Sequence, residues 1–237
     1  MQKVSPVLSG EIFIQVQQDD VLLVIDVQRD FCAGGRLAVQ DGDAVVEPIN
    51  KLMAQFPHVV LTQDWHPAGH SSFASSYLGR AIYETIQMSY GPQTLWPDHC
   101  VQGTPGAGFH PGLKVAGLRG EEDEPPGGTH VELIVRKGFR PEIDSYSAFF
   151  ENDRRTPTGL AGYLRERGLQ RIFLAGLAYD FCVRYSALDA VRSGFSAVVI
   201  EDACRAVGLP GAVDAAESEF AEAGVQRVSL ADFGINS

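Results

Sequence analysis

The stretch Val21-Leu22-Leu23-Val24-Ile25-Asp26-Val27 is a continuous apolar, mostly β-branched run interrupted by one carboxylate. A run of this kind reads as a strand buried on both faces, the usual condition of a strand in a parallel sheet. Similar runs recur at Val59–Thr62, Val131–Val135, Arg171–Ala175, Ala197–Ile200 and Val225–Leu230. Helical patterns fall between several of them. Ala44–Phe56 carries Val45, Ile49, Leu52 and Met53 at helical spacing, and Thr158–Arg167 stops at Gly168. Asp180–Arg192 ends before Gly194, and Gly211–Ala223 ends before Gly224. Strand–helix alternation predicts right-handed crossovers and an α/β fold: a three-layer αβα sandwich around a mostly parallel, roughly six-stranded sheet.

A chain of 237 residues, 45% of them hydrophobic, can bury a full core and suits one sizeable domain, taken here as residues 21–237. Residues 1–20 precede the first strong strand and form an extension, either an edge hairpin or a loosely ordered arm. The net charge of -11 argues against nucleic acid or an anionic membrane surface as partner. The N-terminus lacks a cationic start followed by an apolar run, and no apolar stretch approaches membrane-spanning length. Cys32, Cys100, Cys182 and Cys204 are widely spaced and form no CxxC pair. Neither a zinc ribbon nor a disulfide framework follows, and the expectation is a soluble, cytoplasmic protein with free thiols.

Residues 64–130 hold many of the glycines and prolines and most of the histidines. That is too long for an idle connection, so the region is expected to carry function. Within it, the acidic stretch Leu118–Thr129 reads as an exposed excursion.

In open parallel sheets ligands bind beyond the carboxyl ends of the strands. The first four expected strands each deliver a reactive residue to that rim: Asp26, Asp64, Lys137 and Cys182. A free cysteine is most often a small buried hydrophobe. Cys182 follows Gly176-Leu177-Ala178-Tyr179-Asp180-Phe181, a strand-to-helix turn that places it in a first helical turn. The helix dipole there favours a thiolate, and free N–H groups can hold an oxyanion. Asp180 reads as the N-cap of that helix. Lys137, beside the thiol, would lower its pKa. An unpaired Asp26 is costly to bury, so pairing with Lys137 is expected, and Asp26 could then act as general base. Asp64 and His66, two apart in extended chain, point the same way and can share one ion, with His99 closing the set. One carboxylate and imidazoles suit zinc most closely, with iron or manganese as alternatives.

Several longer blocks carry a resemblance. Asp26–Phe31 (DVQRDF), Asp64–Ser75 (DWHPAGHSSFAS), Gly91–Pro111, Arg136–Asp153 (RKGFRPEIDSYSAFFEND) and Gly176–Val183 (GLAYDFCV) resemble the pyrazinamidase/nicotinamidase group of the isochorismatase-like hydrolases. The resemblance runs from about Val21 to the C-terminus. It implies Cys182 as nucleophile, Asp26 as base and then acid, and Lys137 as third member of a triad. It implies Asp64, His66 and His99 as ligands of one divalent metal ion; His70 falls near a further histidine that ligates metal in some members, but at a shorter spacing, and is expected either behind the ligands or in contact with a water. Phe31 and Trp96 match aromatic walls around a pyridine ring, and Leu177 joins the substrate site. The N–H groups of Ala178 and Cys182 match an oxyanion hole, with a cis peptide between Leu177 and Ala178. The implied activity is metal-dependent hydrolysis of nicotinamide to nicotinate and ammonia, extending to pyrazinamide. Rival readings are a relative acting on N-carbamoyl or ureido compounds and a non-catalytic scaffold. The implied partner is the small-molecule substrate, and self-association into a homo-oligomer is left open.

Overall fold

The structure is a computed structural model that describes residues 13–116 and 129–235. Most of the acidic stretch Leu118–Thr129 and the start of the N-terminal extension lie outside the described residues. In chain order the elements are β1 (Asp20–Ile25), α1 (Val46–Met53), β2 (His58–Asp64), β3 (Thr85–Met88), β4 (Gly91–Thr94), β5 (Val115–Ala116), β6 (Thr129–His130) and β7 (Leu133–Lys137). Then follow α2 (Leu160–Glu166), β8 (Arg171–Leu177), α3 (Arg184–Arg192), β9 (Ser196–Arg205), α4 (Ala212–Ala223) and β10 (Gln226–Val228). The main sheet has six strands in the order β10-β9-β8-β1-β2-β7, and every pairing in it is parallel.

The apolar run that opened the chain lies at the centre of this sheet. All six residues of β1 are buried. Alternate side chains of a strand point to opposite faces. Leu22 and Val24 therefore join Ile49, Leu52 and Met53 of α1 on one side. Val21, Leu23 and Ile25 join Leu160 and Leu164 of α2, Ala187 of α3 and Phe220 of α4 on the other. These two apolar layers give the expected three-layer sandwich.

Boundaries differ from the sequence expectation where local polar contacts intervene. β1 stops at Ile25 because Asp26 adopts φ 47, outside the strand region. β7 lies two residues later than expected, where Leu133 pairs with Val60 and Lys137 with Asp64. The long region contributes an antiparallel hairpin, β3–β4, and its carboxyl end contributes β6 to a short β5–β6 pair. Of the extension, the described part is held at Ile14, whose N–H donates to Asp232 O (2.7 Å). Among the described residues no helix is long and apolar enough to cross a membrane.

Candidate active site

The ends of β1, β2, β7 and β8 bring together the four residues expected at the rim. Lys137 Nζ is the centre of the group. It lies 2.8 Å from Asp26 Oδ2, donates to Asp64 Oδ1 and to Ser145 O (3.0 Å), and sits 3.5 Å from Cys182 Sγ. All four side chains are buried. Two residues that sequence reasoning missed hold this geometry. Thr62 Oγ1 donates to Asp26 Oδ1 (2.6 Å) and accepts from Asp26 N–H (3.1 Å). Gln28 accepts from Asp64 N–H and donates to Asp64 O, both at 2.8 Å, which ties the loop after β1 to the end of β2. Thr62 was legible only as a polar residue inside an apolar run.

Electrostatics around the cluster run against the expected lowering of the thiol pKa. Burial pushes the Cys182 thiol well above its ordinary value, and the charges of Asp26 and Asp64 push the same way against the pull of Lys137. Burial also raises the Asp26 carboxyl, with Lys137 pulling down and Asp64 pushing up. For Lys137, burial disfavours the charge, but Asp26 and Asp64 outweigh it and hold the ammonium protonated far up the scale. The arrangement stores the proton on sulfur beside a carboxylate able to take it.

The turn carrying Cys182 differs as well. Residues Tyr179–Val183 form a single π-helical turn, and α3 begins only at Arg184. Cys182 is therefore not in the first turn of an α-helix. Asp180 does not cap a helix. Fully buried, it accepts N–H bonds from Val207 (2.9 Å) and Gly208 (2.9 Å), pinning the segment after β9 against the thiol turn. The Leu177–Ala178 peptide is cis, as the resemblance implies.

Beside the cluster, Asp64 Oδ2 lies 3.6 Å from His66 Nε2 and 3.8 Å from His99 Nε2. The opposite ring nitrogens are anchored on backbone carbonyls: His66 Nδ1 on Gly138 O and His99 Nδ1 on Pro97 O, each at 2.8 Å. A carbonyl can only accept, so Nδ1 carries the proton and the Nε2 lone pairs face the carboxylate. Burial works against a charge on His66, yet Asp64 raises its proton affinity overall. A carboxylate that draws a proton into this gap draws a cation equally well, so the donor set fits one divalent metal ion.

His70 stands outside the Asp64–His66–His99 set, but with His66 and Asp144 it makes a second buried group whose ligand atoms lie within 4.8 Å of one another. Its ring nitrogens meet Ser72 Oγ (2.7 Å) and Arg140 O (2.8 Å), although its ring stacks 4.5 Å from that of His66. It therefore supports His66 by packing. Asp144, which sequence reasoning did not single out, has Oδ1 4.0 Å from His66 Nε2.

Phe31 and Trp96 line a small pocket that also reaches Asp64, His99, Ala178 and Cys182. Leu177 does not line it. Its side chain is fully buried in the core, and the pocket meets the neighbouring Ala178 instead. Phe181 and Tyr146 complete the aromatic wall; Phe181 stands edge-on to Trp96 at 4.8 Å, and Tyr146 accepts from Trp96 Nε1 at 3.1 Å. Both lay inside the quoted blocks, but single aromatic residues there carried no separable signal.

A buried thiol, a lysine between two carboxylates and an imidazole–carboxylate set at the carboxyl edge of a parallel sheet define a class of hydrolase. Residues 20–121 and 141–232 match the isochorismatase domain model, and the chain belongs to the isochorismatase family. It is 50% identical over 208 residues to a nicotinamidase of Acinetobacter baylyi, covering 88% of this chain and 91% of that protein. The structure of an Acinetobacter baumanii nicotinamidase/pyrazinamidase superposes with TM-score 0.84 at 47% identity, covering 91% of this chain and 98% of that one. A pyrazinamidase of Pyrococcus horikoshii, solved in complex with zinc, superposes with TM-score 0.67 at 32% identity, covering 89% and 99%.

Proposed function

We propose that this chain hydrolyses nicotinamide to nicotinate and ammonia through a thioester on Cys182. The observation that carries the reading is the position of Lys137 Nζ, 2.8 Å from Asp26 Oδ2 and 3.5 Å from Cys182 Sγ. A single ammonium there keeps a buried carboxylate ionised beside a thiol, which is the pairing that nucleophilic catalysis needs.

The pyridine ring fits between Phe31 and Trp96, with its carboxamide toward Cys182. Sulfur attacks the carbonyl carbon as Asp26 takes the thiol proton. The N–H groups of Ala178 and Cys182 face the developing oxyanion, and each such donor contributes about 3–4 kcal/mol. Collapse of the tetrahedral adduct breaks the C–N bond, and Asp26 passes its proton to the leaving nitrogen, which departs as ammonia. Water then attacks the thioester while Asp26 accepts its proton. That proton returns to sulfur as nicotinic acid leaves, and the acid ionises to nicotinate in water. Lys137 stays charged throughout.

Asp64, His66 and His99 would hold one divalent metal ion, with zinc the best match to two imidazoles and a carboxylate. When bound, the ion supplies a Lewis-acidic point that orients the ring nitrogen and so aims the carboxamide, an effect of positioning.

The test is ammonia release from nicotinamide by Cys182→Ala protein. Turnover at the uncatalysed background is expected, and turnover near that of the parent overturns the covalent scheme.

A further inference from the structure

The strand register that builds the catalytic cluster builds a second polar set on the reverse face of the sheet. In the β2–β7 ladder Asp64 pairs with Lys137, and Gln63 pairs with Arg136. Successive side chains of a strand point to opposite faces. Gln63 and Arg136 thus lie on the face of Leu61 and Ile134, directly behind the catalytic pair. They border a groove of about 750 Å³ that is also lined by Arg29, Phe109, Leu113 and Ile134.

The charge in this groove is unlike that of the chain. The protein carries a net charge of -11, yet Arg29 and Arg136 both line this groove, and among the described residues neither is ion-paired. Arg136 is held in one plane: its guanidinium lies 4.1 Å over the Trp65 ring, and Nε donates to Gln63 Oε1 (3.1 Å). That fixes the fork while using one of its five N–H donors. Arg29 is exposed on the turn that follows Asp26. His110, also at the groove, is partnered by Asp43 (3.0 Å), so among the described residues the groove's cations without a carboxylate partner are the two arginines. A planar, oriented guanidinium is the group that recognises carboxylate and phosphate oxygens in pairs. The remaining lining, from Phe109, Leu113 and Ile134, is apolar and suits a flat organic body.

We propose that this groove binds an organic anion, with a carboxylate or phosphate head between Arg29 and Arg136 and an apolar body against Phe109 and Ile134. The site is separate from the catalytic pocket and does not depend on the reaction proposed for it.

Trp65 offers a direct reading, because Trp65 and Trp96 are the only tryptophans in the chain. In Trp96→Phe protein the remaining indole lies under Arg136. Titration with phenyl phosphate and with benzoate should give a saturable change in Trp65 emission for at least one probe, and uncharged benzyl alcohol should give none. The lower of the two dissociation constants identifies the preferred head group. Adding Arg29→Gln and Arg136→Gln, both surface changes, should weaken binding about tenfold per arginine removed. Raised salt should weaken it further. No saturable response to either probe at millimolar concentration overturns the proposal, as does binding unchanged by loss of both arginines.

Discussion

Lys137 Nζ donates to Asp64 Oδ1 while the other oxygen of the same carboxylate faces His66 Nε2 and His99 Nε2. One carboxylate therefore belongs both to the thiol cluster and to the imidazole set. For Asp64, burial opposes ionisation, but Lys137 and His66 outweigh it and hold its pKa well below the ordinary carboxylate range. The whole arrangement balances on one ammonium between two buried acids.

Lys137→Met keeps an unbranched side chain one atom shorter and removes the ammonium, with both its charge and its donors to Asp64 and Ser145. Asp26 and Asp64 are then left as buried carboxylates without their cation. Breaking a buried pair in this way costs about 3–5 kcal/mol, so the unfolding free energy should fall by about that amount and the melting temperature with it. The nicotinamidase turnover should fall by at least about a thousandfold, since the base loses the charge that keeps it ionised. Differential scanning calorimetry and an ammonia assay measure the two effects separately. Stability equal to the parent would mean that the ammonium is not what holds the two acids.

The pH profile follows from Asp26. Burial raises its pKa above the ordinary carboxylate range, and the group must be ionised to accept the thiol proton. Activity is then present above the raised pKa and lost as pH falls through it, so the acid limb of kcat/KM should lie above that of a free aspartate. Thr62→Val removes the donor at 2.6 Å from Asp26 Oδ1. Hydrogen bonds to a charged group contribute about 1.5–3 kcal/mol, so the limb should move upward by about one to two pH units. A limb that stays in place in Thr62→Val protein would assign it to another group.

Much of this was legible from strand runs alone. Each of the first four expected strands leads into a reactive residue, and that coincidence picks out Asp26, Asp64, Lys137 and Cys182 without the family resemblance. What stayed hidden depended on contacts across the fold. Thr62 acts through a partner 36 residues away, and Gln28 through Asp64 at the same separation. Asp180 sits where an N-cap belongs by sequence, but its carboxylate serves Val207 and Gly208 from a later segment. The thiol's environment also could not be read locally. A turn and a nearby lysine suggest a thiolate, whereas full burial between two carboxylates reverses the sign.

Away from the site, the Arg184–Glu219 bridge joins α3 to α4, with Nη2 2.5 Å from Oε1 and Nε 3.0 Å from Oε2. The hydrogen bonds from Arg184 hold Glu219 below its ordinary pKa despite some desolvation. A depressed carboxylate stabilises the fold above its unfolded pKa, and that contribution is lost as pH falls through the folded one. Because Glu219 is partly exposed, the effect should stay below about 1 kcal/mol. Glu219→Gln should lower the melting temperature slightly at neutral pH and not at strongly acid pH. Equal destabilisation at both extremes would point to lost packing instead of lost charge.

Gly138 tests the imidazole–carboxylate set without touching a donor atom. Its φ is +64, and a Cβ built there would stand 2.7 Å from His66 Nδ1, the nitrogen that is anchored on the carbonyl of Gly138 itself. Gly138→Ala must therefore either rotate the His66 ring or shift the backbone that orients it. Loss of such an orienting contact typically costs ten- to a hundredfold in metal affinity. The variant should purify with less bound metal than the parent, and adding metal in excess should restore part of its activity. The three atoms nearest the new methyl group all belong to the His66 ring, so stoichiometric alkylation of Cys182 should persist. Full metal content in Gly138→Ala protein would place the ion away from His66. A variant that loses metal and cannot be rescued, with Cys182 no longer alkylated, would show that the substitution collapses the loop after β7 and not the ligand set alone.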